Sequence, residues 1–407
     1  AARFGRAEAL QLLLEAGAST AARSRRGCTA LSIAAEEGFA PLVRALLAAR
    51  AGVEAADECG FTPLLRAAQN GHADCAGLLL EGGARIGAVS ITGAKGGGKV
   101  DESSSGDEGD EGSTALHQAS LNGHLETTKA LLAAGADVCA VKANGFTPLM
   151  GASYNGFGEV VAALLSSGAA ASLDTADVNG YTALILASRA GNPAIVRQLL
   201  AAGANVHQKQ ELQGGGTPLI AACWAGFEDV ARELLAGGAL PDDAKDNGFT
   251  ALMSACYNRH TATARVLLQH GASTNLADQL GFSAMHLSCQ LGHVPLVQLL
   301  LRHGAKVNVC TTKGESPLML SAASPQDRTT IISLLLAADV DLEAAVPTTG
   351  WTALFYACKG GCNSVISTLL RAGARRDVKA TDGSTPLDAC DAAARAAIEA
   401  VWEASSD

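Results

Sequence analysis

Aromatic side chains are scarce in this chain: phenylalanine, tyrosine and tryptophan make up 4% of its 407 residues. A core built with so few rings must rely on small and branched aliphatic side chains, and each ring becomes informative by its position. Long apolar runs are also missing. None approaches the ~18 consecutive residues of a helical membrane span, so no span is expected. Basic residues are not in excess. The net formal charge is -10, the wrong sign for a surface built to hold nucleic acid. There is no Asn-X-Ser/Thr sequon and no recognisable signal peptide. The chain begins at Ala1 rather than at a methionine, from which a fragment or an incomplete gene product is expected.

What is abundant is glycine, alanine and leucine, and the glycines are evenly spaced. Taking a turn glycine as slot 0, copies of one unit start at Gly27, Gly60, Gly112, Gly145, Gly180, Gly215, Gly248, Gly281, Gly314, Gly350 and Gly383, mostly 33 residues apart. The cleanest copy is 281–313. Ser283 can cap a first short helix, whose packed face holds Met285, Leu287, Ser288 and Cys289. Gly292 and His293 break it. Leu296, Val297, Leu299, Leu300 and Leu301 then recur at helical spacing, and Gly304 stands where a helix ends in a left-handed residue. Neither helix can bury its stripe alone, so neighbouring copies must supply the other wall.

Thr62-Pro63-Leu64, Thr147-Pro148-Leu149, Thr217-Pro218-Leu219, Thr385-Pro386-Leu387 and Thr114-Ala115-Leu116-His117, with Gly71-His72, Gly123-His124 and Gly292-His293, carry a resemblance to the ankyrin repeat. The resemblance covers nearly the whole chain. It implies an all-α solenoid of helix-turn-helix units with short hairpin fingers, extending as a curved rod on the order of 100 Å from packed helices 8–10 Å apart. The expected organisation is a truncated first repeat over 1–26, repeats over 27–86, a disordered Gly/Ser/acidic insertion over 87–111, repeats over 112–382, a capping repeat over 383–402 and a tail over 403–407.

Eleven cysteines do not read as a disulfide framework. Cys223, Cys256, Cys289 and Cys358 share slot 8, where other copies have Ala35, Ala68, Ser120, Ser153, Ser188 and Ala322. That slot requires a small side chain, and equivalent atoms ~10 Å apart are beyond disulfide reach. Buried free thiols in a reducing compartment follow, with the cytoplasm expected and the nucleus as the alternative.

Several copies depart from the pattern. Arg50 takes a glycine slot at a helix end, where irregular geometry is expected, and Asp339 takes another, which Asp tolerates better than most residues, in a copy where local mobility is expected. Arg259 replaces the mid-repeat glycine, and Pro325 with two extra residues lengthens one inter-helix turn. Small insertions after Gly145 and Gly180 are expected in the fingers. In the large insertion, Gly93 to Val100 mimics a phosphate-binding loop but ends in Val where Ser or Thr must hold magnesium. Ser104 and Ser105 precede acidic residues as acidophilic kinase sites do. The resemblance places Asn275 and Asn308 where asparaginyl hydroxylases modify such proteins, and an ordinary turn asparagine is the alternative.

Catalytic signatures are lacking. His286, Cys289 and His293 share a helical face and could in principle hold zinc, but each occupies its ordinary repeat slot, where family histidines bond the turn and neighbouring backbone. No cofactor and no enzymatic activity are expected. Function then rests on what varies over the scaffold. Slots 1 and 9 hold nine of the sixteen aromatics: Phe61, Phe146, Tyr181, Phe249, Phe282 and Trp351, and Tyr154, Trp224 and Tyr257. Slot 9 elsewhere holds Glu36, Gln69, Arg189, Gln290 and Lys359, and a slot that accepts charge is exposed. The resemblance implies that slots 1, 9 and 10 line a concave groove. The candidate partner-binding residues are therefore Tyr154, Asn155, Arg189, Trp224, Tyr257 and Asn258, flanked by Phe146, Tyr181, Phe249 and Phe282. A monomeric scaffold or adaptor with a protein partner is expected. The alternative is the targeting module of a larger enzyme, ubiquitin ligase or channel.

Overall fold

The computed structural model describes residues 1–90, 111–210, 214–390 and Arg395. Among these residues it contains twenty-one α-helices and no named strand. They form two compact units, Ala1–Gln213 and Gly214–Asp407, each considered by itself. In the first unit, a 3-10 turn at Ala2–Phe4 precedes α1 (Ala7–Glu15). Five helix pairs follow: α2 (Ala30–Glu36) with α3 (Ala40–Ala48), α4 (Pro63–Gln69) with α5 (Ala73–Glu81), α6 (Ala115–Leu121) with α7 (Leu125–Ala133), α8 (Pro148–Tyr154) with α9 (Gly158–Ser166), and α10 (Ala183–Ala190) with α11 (Pro193–Ala201). The second unit has five more: α12 (Pro218–Ala225) with α13 (Glu228–Ala236), α14 (Ala251–Tyr257) with α15 (Thr261–Gln269), α16 (Ala284–Leu291) with α17 (Val294–Arg302), α18 (Pro317–Ala322) with α19 (Thr329–Leu336), and α20 (Ala353–Gly360) with α21 (Asn363–Arg371). Within a unit, first helices pack on first helices and second on second.

The sequence pattern explains each pair. Thr29, Thr62, Thr114, Thr147, Thr182, Thr217 and Thr250 cap the first helices by accepting the N–H three residues on. Such a bond satisfies one of the donors a helix start leaves open. At Thr114 and Ser283 the hydroxyl pairs with an imidazole Nδ1, of His117 at 2.8 Å and of His286 at 2.9 Å, and the backbone N–H donates to the same atom. The slot 8 residues, from Ala35 to Cys358, are almost completely buried, which is why only Ala, Ser and Cys appear there. Second helices contribute a three-residue stripe such as Leu42, Val43 and Leu46, or Ile331, Ile332 and Leu335, at near-zero exposure. Each such aliphatic side chain contributes about 1.5–3 kcal/mol by leaving water.

Two ladders tie copies together. At the finger tips, backbone N–H groups donate to the preceding copy, as Glu58 to Arg26, Gln279 to Asn247 and Thr312 to Leu280. At the other end of the finger, Glu54, Asp242, Asn275 and Asn308 accept the N–H of Arg85, Ser273, Lys306 and Asp341 through side-chain oxygens at 2.7–2.8 Å. The Asn275 and Asn308 amide nitrogens also donate, to Gly304 and Asp339 carbonyls. Both amides are therefore engaged in the fold.

Some expectations need correction. Arg50 does not make its helix end irregular, and Asp339 fits its glycine slot as expected of Asp. They adopt the left-handed backbone themselves, with φ 57 and 55, and keep the same closing bonds as the glycine copies, Arg50 to Leu47 and Asp339 to Leu336. The small insertion after Gly145 is taken up in a 3-10 turn, Ala169–Ser172, just after the second helix rather than at the finger tip. The edges of the large insertion are ordered: Val89 bridges Thr114, and Ser90 exchanges backbone bonds with Ser113 and Gly112. The phosphate-loop mimic, Ser104 and Ser105 lie outside the described residues, as do the last residues of the expected cap and tail. What is described of that cap is a 3-10 turn, Pro386–Ala389, whose Thr385 donates through N and Oγ1 to Asp388.

Candidate partner-binding surface

Slot 9 closes each first helix, pointing away from the slot 8 core. In the second unit it places Trp224 and Tyr257 at 45% and 48% exposure, high for rings that could have been buried. The two rings stack, with centroids 5.6 Å apart and planes 20° from parallel. Phe249, half-buried at slot 1, meets Tyr257 edge-on at 6.4 Å. Lys245 holds its ammonium 5.5 Å from the Trp224 ring. The result is an exposed apolar ledge with a cation on one side. Phe282 turns its edge to buried His286 and belongs to the packing under the finger. Asn258 donates its amide to the Ser254 carbonyl one turn back.

Farther along the same unit, Trp351 stacks on buried Phe355 and meets Tyr356 edge-on. Lys359 lies 4.6 Å over its ring.

The first unit shows a related arrangement with different occupants. Tyr154 is 38% exposed. Asn155 beside it donates its amide to the Leu121 carbonyl of the preceding copy at 2.8 Å, so that amide holds copies together. Arg189 donates to the Tyr181 hydroxyl at 2.6 Å and lies over its ring at 5.4 Å. Phe146 is half-buried with Lys142 at 5.7 Å. Phe61 is buried under Arg66, whose guanidinium makes two bonds to Asp57. The slot 1 rings are thus partly structural, and slot 9 carries the exposed ones. The slot pattern did not signal the cations over the rings, since they come from slots 6, 9 and 30 in different copies.

The residues weighed for chemistry are engaged elsewhere. His286 is fully buried against Ser283. Burial lowers its pKa, opposed by the nearby backbone of Glu315 and Val309, although Nε2 is buried without a hydrogen-bond partner among the described residues. His293 Nδ1 accepts the Leu296 N–H. The Cys289 thiol lies against the Met285 sulfur and is pushed up to about 12 by burial. Among the described residues no group of three or more His, Cys, Asp or Glu could hold a metal ion. His72, His124 and His260 bring Nε2 to the carbonyls of Glu36, Gln69 and Trp224 at 3.0–3.2 Å. All eleven cysteines are free thiols. No helix among the described residues is long and apolar enough to cross a membrane.

A family model of ankyrin repeats in three copies matches residues 1–90, 98–174, 116–210, 149–243, 208–278, 273–345 and 318–402. Among solved structures, the chain is similar to the human ASB11 ankyrin repeat domain, with 28% identity and a TM-score of 0.49, over 55% of this chain and 96% of that one. It is also similar to the ankyrin repeat domain of Bcl-3, described as a unique member of the IkappaB protein family, with 27% identity and a TM-score of 0.49, over 55% and 99% of the respective chains. No curated protein matches the sequence.

Proposed function

Because the chain belongs to the ankyrin repeat family, whose members generally serve as protein-protein interaction modules, we propose that it is a non-catalytic scaffold or adaptor. Its principal anchor for a partner protein is the slot 9 ledge of Trp224 and Tyr257, walled by Phe249 and Lys245. The stacked, half-exposed ring pair is the observation that supports this reading. Large rings are costly to leave in water and are favoured at the energetic centres of interfaces. Packed copies already fix both rings, so a partner would lose little further side-chain freedom on binding. Tyr154 with the Arg189–Tyr181 pair offers a second set of contacts on the first unit. The complementary ligand is an extended segment or helix presenting an apolar side chain to the rings. The free thiols support residence in a reducing compartment, the cytoplasm or nucleus, and the array acts as a monomer.

The test is affinity capture from cell lysate with the wild-type chain and with Trp224→Ala/Tyr257→Ala, at matched helicity. A partner retained by wild type and lost by the variant is the expected result. Identical captures would remove the ledge from the interface.

A further inference from the structure

The turn between α16 and α17 is flanked by positive charge that no ion pair among the described residues neutralises. Two departures from the repeat put it there. Arg259 stands where the neighbouring copies have Gly226 and Gly292, and it keeps their left-handed backbone with φ 64. A side chain in that region costs about 1–2 kcal/mol, which glycine would avoid. Its guanidinium crosses to the next copy and donates to the Leu291 carbonyl at 3.0 Å. From the other side comes Arg328, in the lengthened turn before α19. Its guanidinium fills the volume that a Cβ on Gly292 would need, as the ring of His260 does against Gly226. Two guanidinium groups therefore bracket one dipeptide, Leu291-Gly292.

Neither arginine forms an ion pair among the described residues. The Nε of Arg328 is buried without a hydrogen-bond partner. His293 sits in the same turn. Its Nδ1 accepts the Leu296 N–H, which leaves the hydrogen on Nε2. The Nε2 atoms of His72, His124 and His260 are tied to carbonyls, and no such bond is made by His293 among the described residues. Burial first, and then the charge of Arg259, lower the His293 pKa, so the ring is a neutral N–H donor beside two cations. In a chain of net charge -10, this is a local inversion of sign.

We propose that Arg259, His293 and Arg328 form an oxyanion site that receives a carboxylate or phosphate group on the same partner segment that lays its apolar side chain on Trp224 and Tyr257. The inference rests on the ledge being the partner's anchor. Arg259 follows Tyr257 by two residues, at the end of the same helix, so site and ledge adjoin within one unit. Guanidinium groups match planar oxyanions with paired donors. Copies spaced ~8–10 Å apart and an extended chain rising ~3.3 Å per residue place the acidic group about three residues from the apolar one to meet Arg259 and His293. The Arg328 guanidinium, lying on Gly292, is met at the same spacing. The occupant is an extended acidic peptide with one apolar anchor.

The experiment uses an array of synthetic peptides, each with one aromatic anchor and, at increasing spacing from it, Glu, phosphoserine, Gln or Lys. It is probed with the full wild-type chain, with Arg259→Gly/Arg328→Met, and with Trp224→Ala/Tyr257→Ala. Arg259→Gly restores the repeat's own residue, Arg328→Met puts an uncharged unbranched chain where the guanidinium packs on Gly292, and native helicity by circular dichroism checks that the fold is retained. Wild type is expected to prefer Glu or phosphoserine peptides over Gln by roughly tenfold or more, as charge-assisted bonds allow, and the comparison of those two shows which oxyanion is read. The arginine variant should lose that preference while still binding the Gln peptides. Equal binding of Gln or Lys peptides by wild type, or an acidic preference that survives in the arginine variant, overturns the site. Unchanged binding by the aromatic variant instead overturns the ledge as anchor.

Discussion

The indole of Trp224 stacks on the phenol of Tyr257, one copy further along the chain, and both rings remain nearly half exposed. They occupy the same slot in adjacent copies, so the repeat itself sets their spacing. An array that presents one position per copy on a common face turns a sequence column into a surface row. The row is apolar here and polar or charged at Gln290 and Lys359 in the same unit, which gives the surface a position and a direction.

Among the described residues, Asp57 is a carboxylate buried in an ion pair, with its side chain 1% exposed against 18% for Arg66. It also accepts the N–H groups of Cys59 and Phe61, which shapes the finger. Removing one partner of such a pair leaves an uncompensated charge. Asp57→Ala should destabilise the first unit by about 3–5 kcal/mol in urea unfolding. A loss under about 1 kcal/mol would place the pair with ordinary surface bridges.

Gly226 and Gly238 both have positive φ, 85 and 96. A Cβ on Gly226 would lie 2.5 Å from the His260 ring, whereas one on Gly238 would meet nothing. Gly238→Ala should carry only the cost of the left-handed backbone, about 1–2 kcal/mol. Gly226→Ala should cost about 1 kcal/mol more, because it also displaces His260 from the Trp224 carbonyl. Thermal unfolding of the two variants side by side checks this, and equal losses would contradict the packing role of the turn.

The slot 8 thiols predict an alkaline transition. Burial pushes Cys256 and Cys289 up to about 12, from an ordinary value of 9.0. A raised folded-state pKa means that the unfolded chain ionises first. The stabilising contribution is therefore complete below about pH 9 and lost as pH rises through about 12. Cys256→Ala/Cys289→Ala, mimicking other copies at that slot, should flatten the fall in stability over that window. A titration of unfolding free energy from neutral pH upward measures it, and a fall identical to wild type would refute the assignment.

Much of this was legible in the sequence because the repeat supplies its own comparison. The small residues of slot 8, the capping threonines and the exposed slot 9 could each be read from a column of copies without any structure. Where a residue departed from its column, the column stopped informing. Arg50 looked like a broken helix end, yet packing on either side holds it in the left-handed backbone. Asn155 looked like a surface contact, but its amide reaches a carbonyl in the preceding copy, a pairing that depends on how copies stack. Lys245 went unnoticed since nothing in sequence ties a finger residue to a ring more than half a copy before it. Arg328 was hidden by the inserted residues that shift its register.

The most direct test of the central claim is the stability of Trp224→Ala/Tyr257→Ala by urea unfolding, alongside its capture of a partner. If the rings form a surface ledge, the variant loses only the stacking and cation contacts, about 1–2 kcal/mol, and keeps native helicity while capture is abolished. A loss of more than about 4 kcal/mol, as for truncated core aromatics, or an undiminished capture by a folded variant, would contradict it.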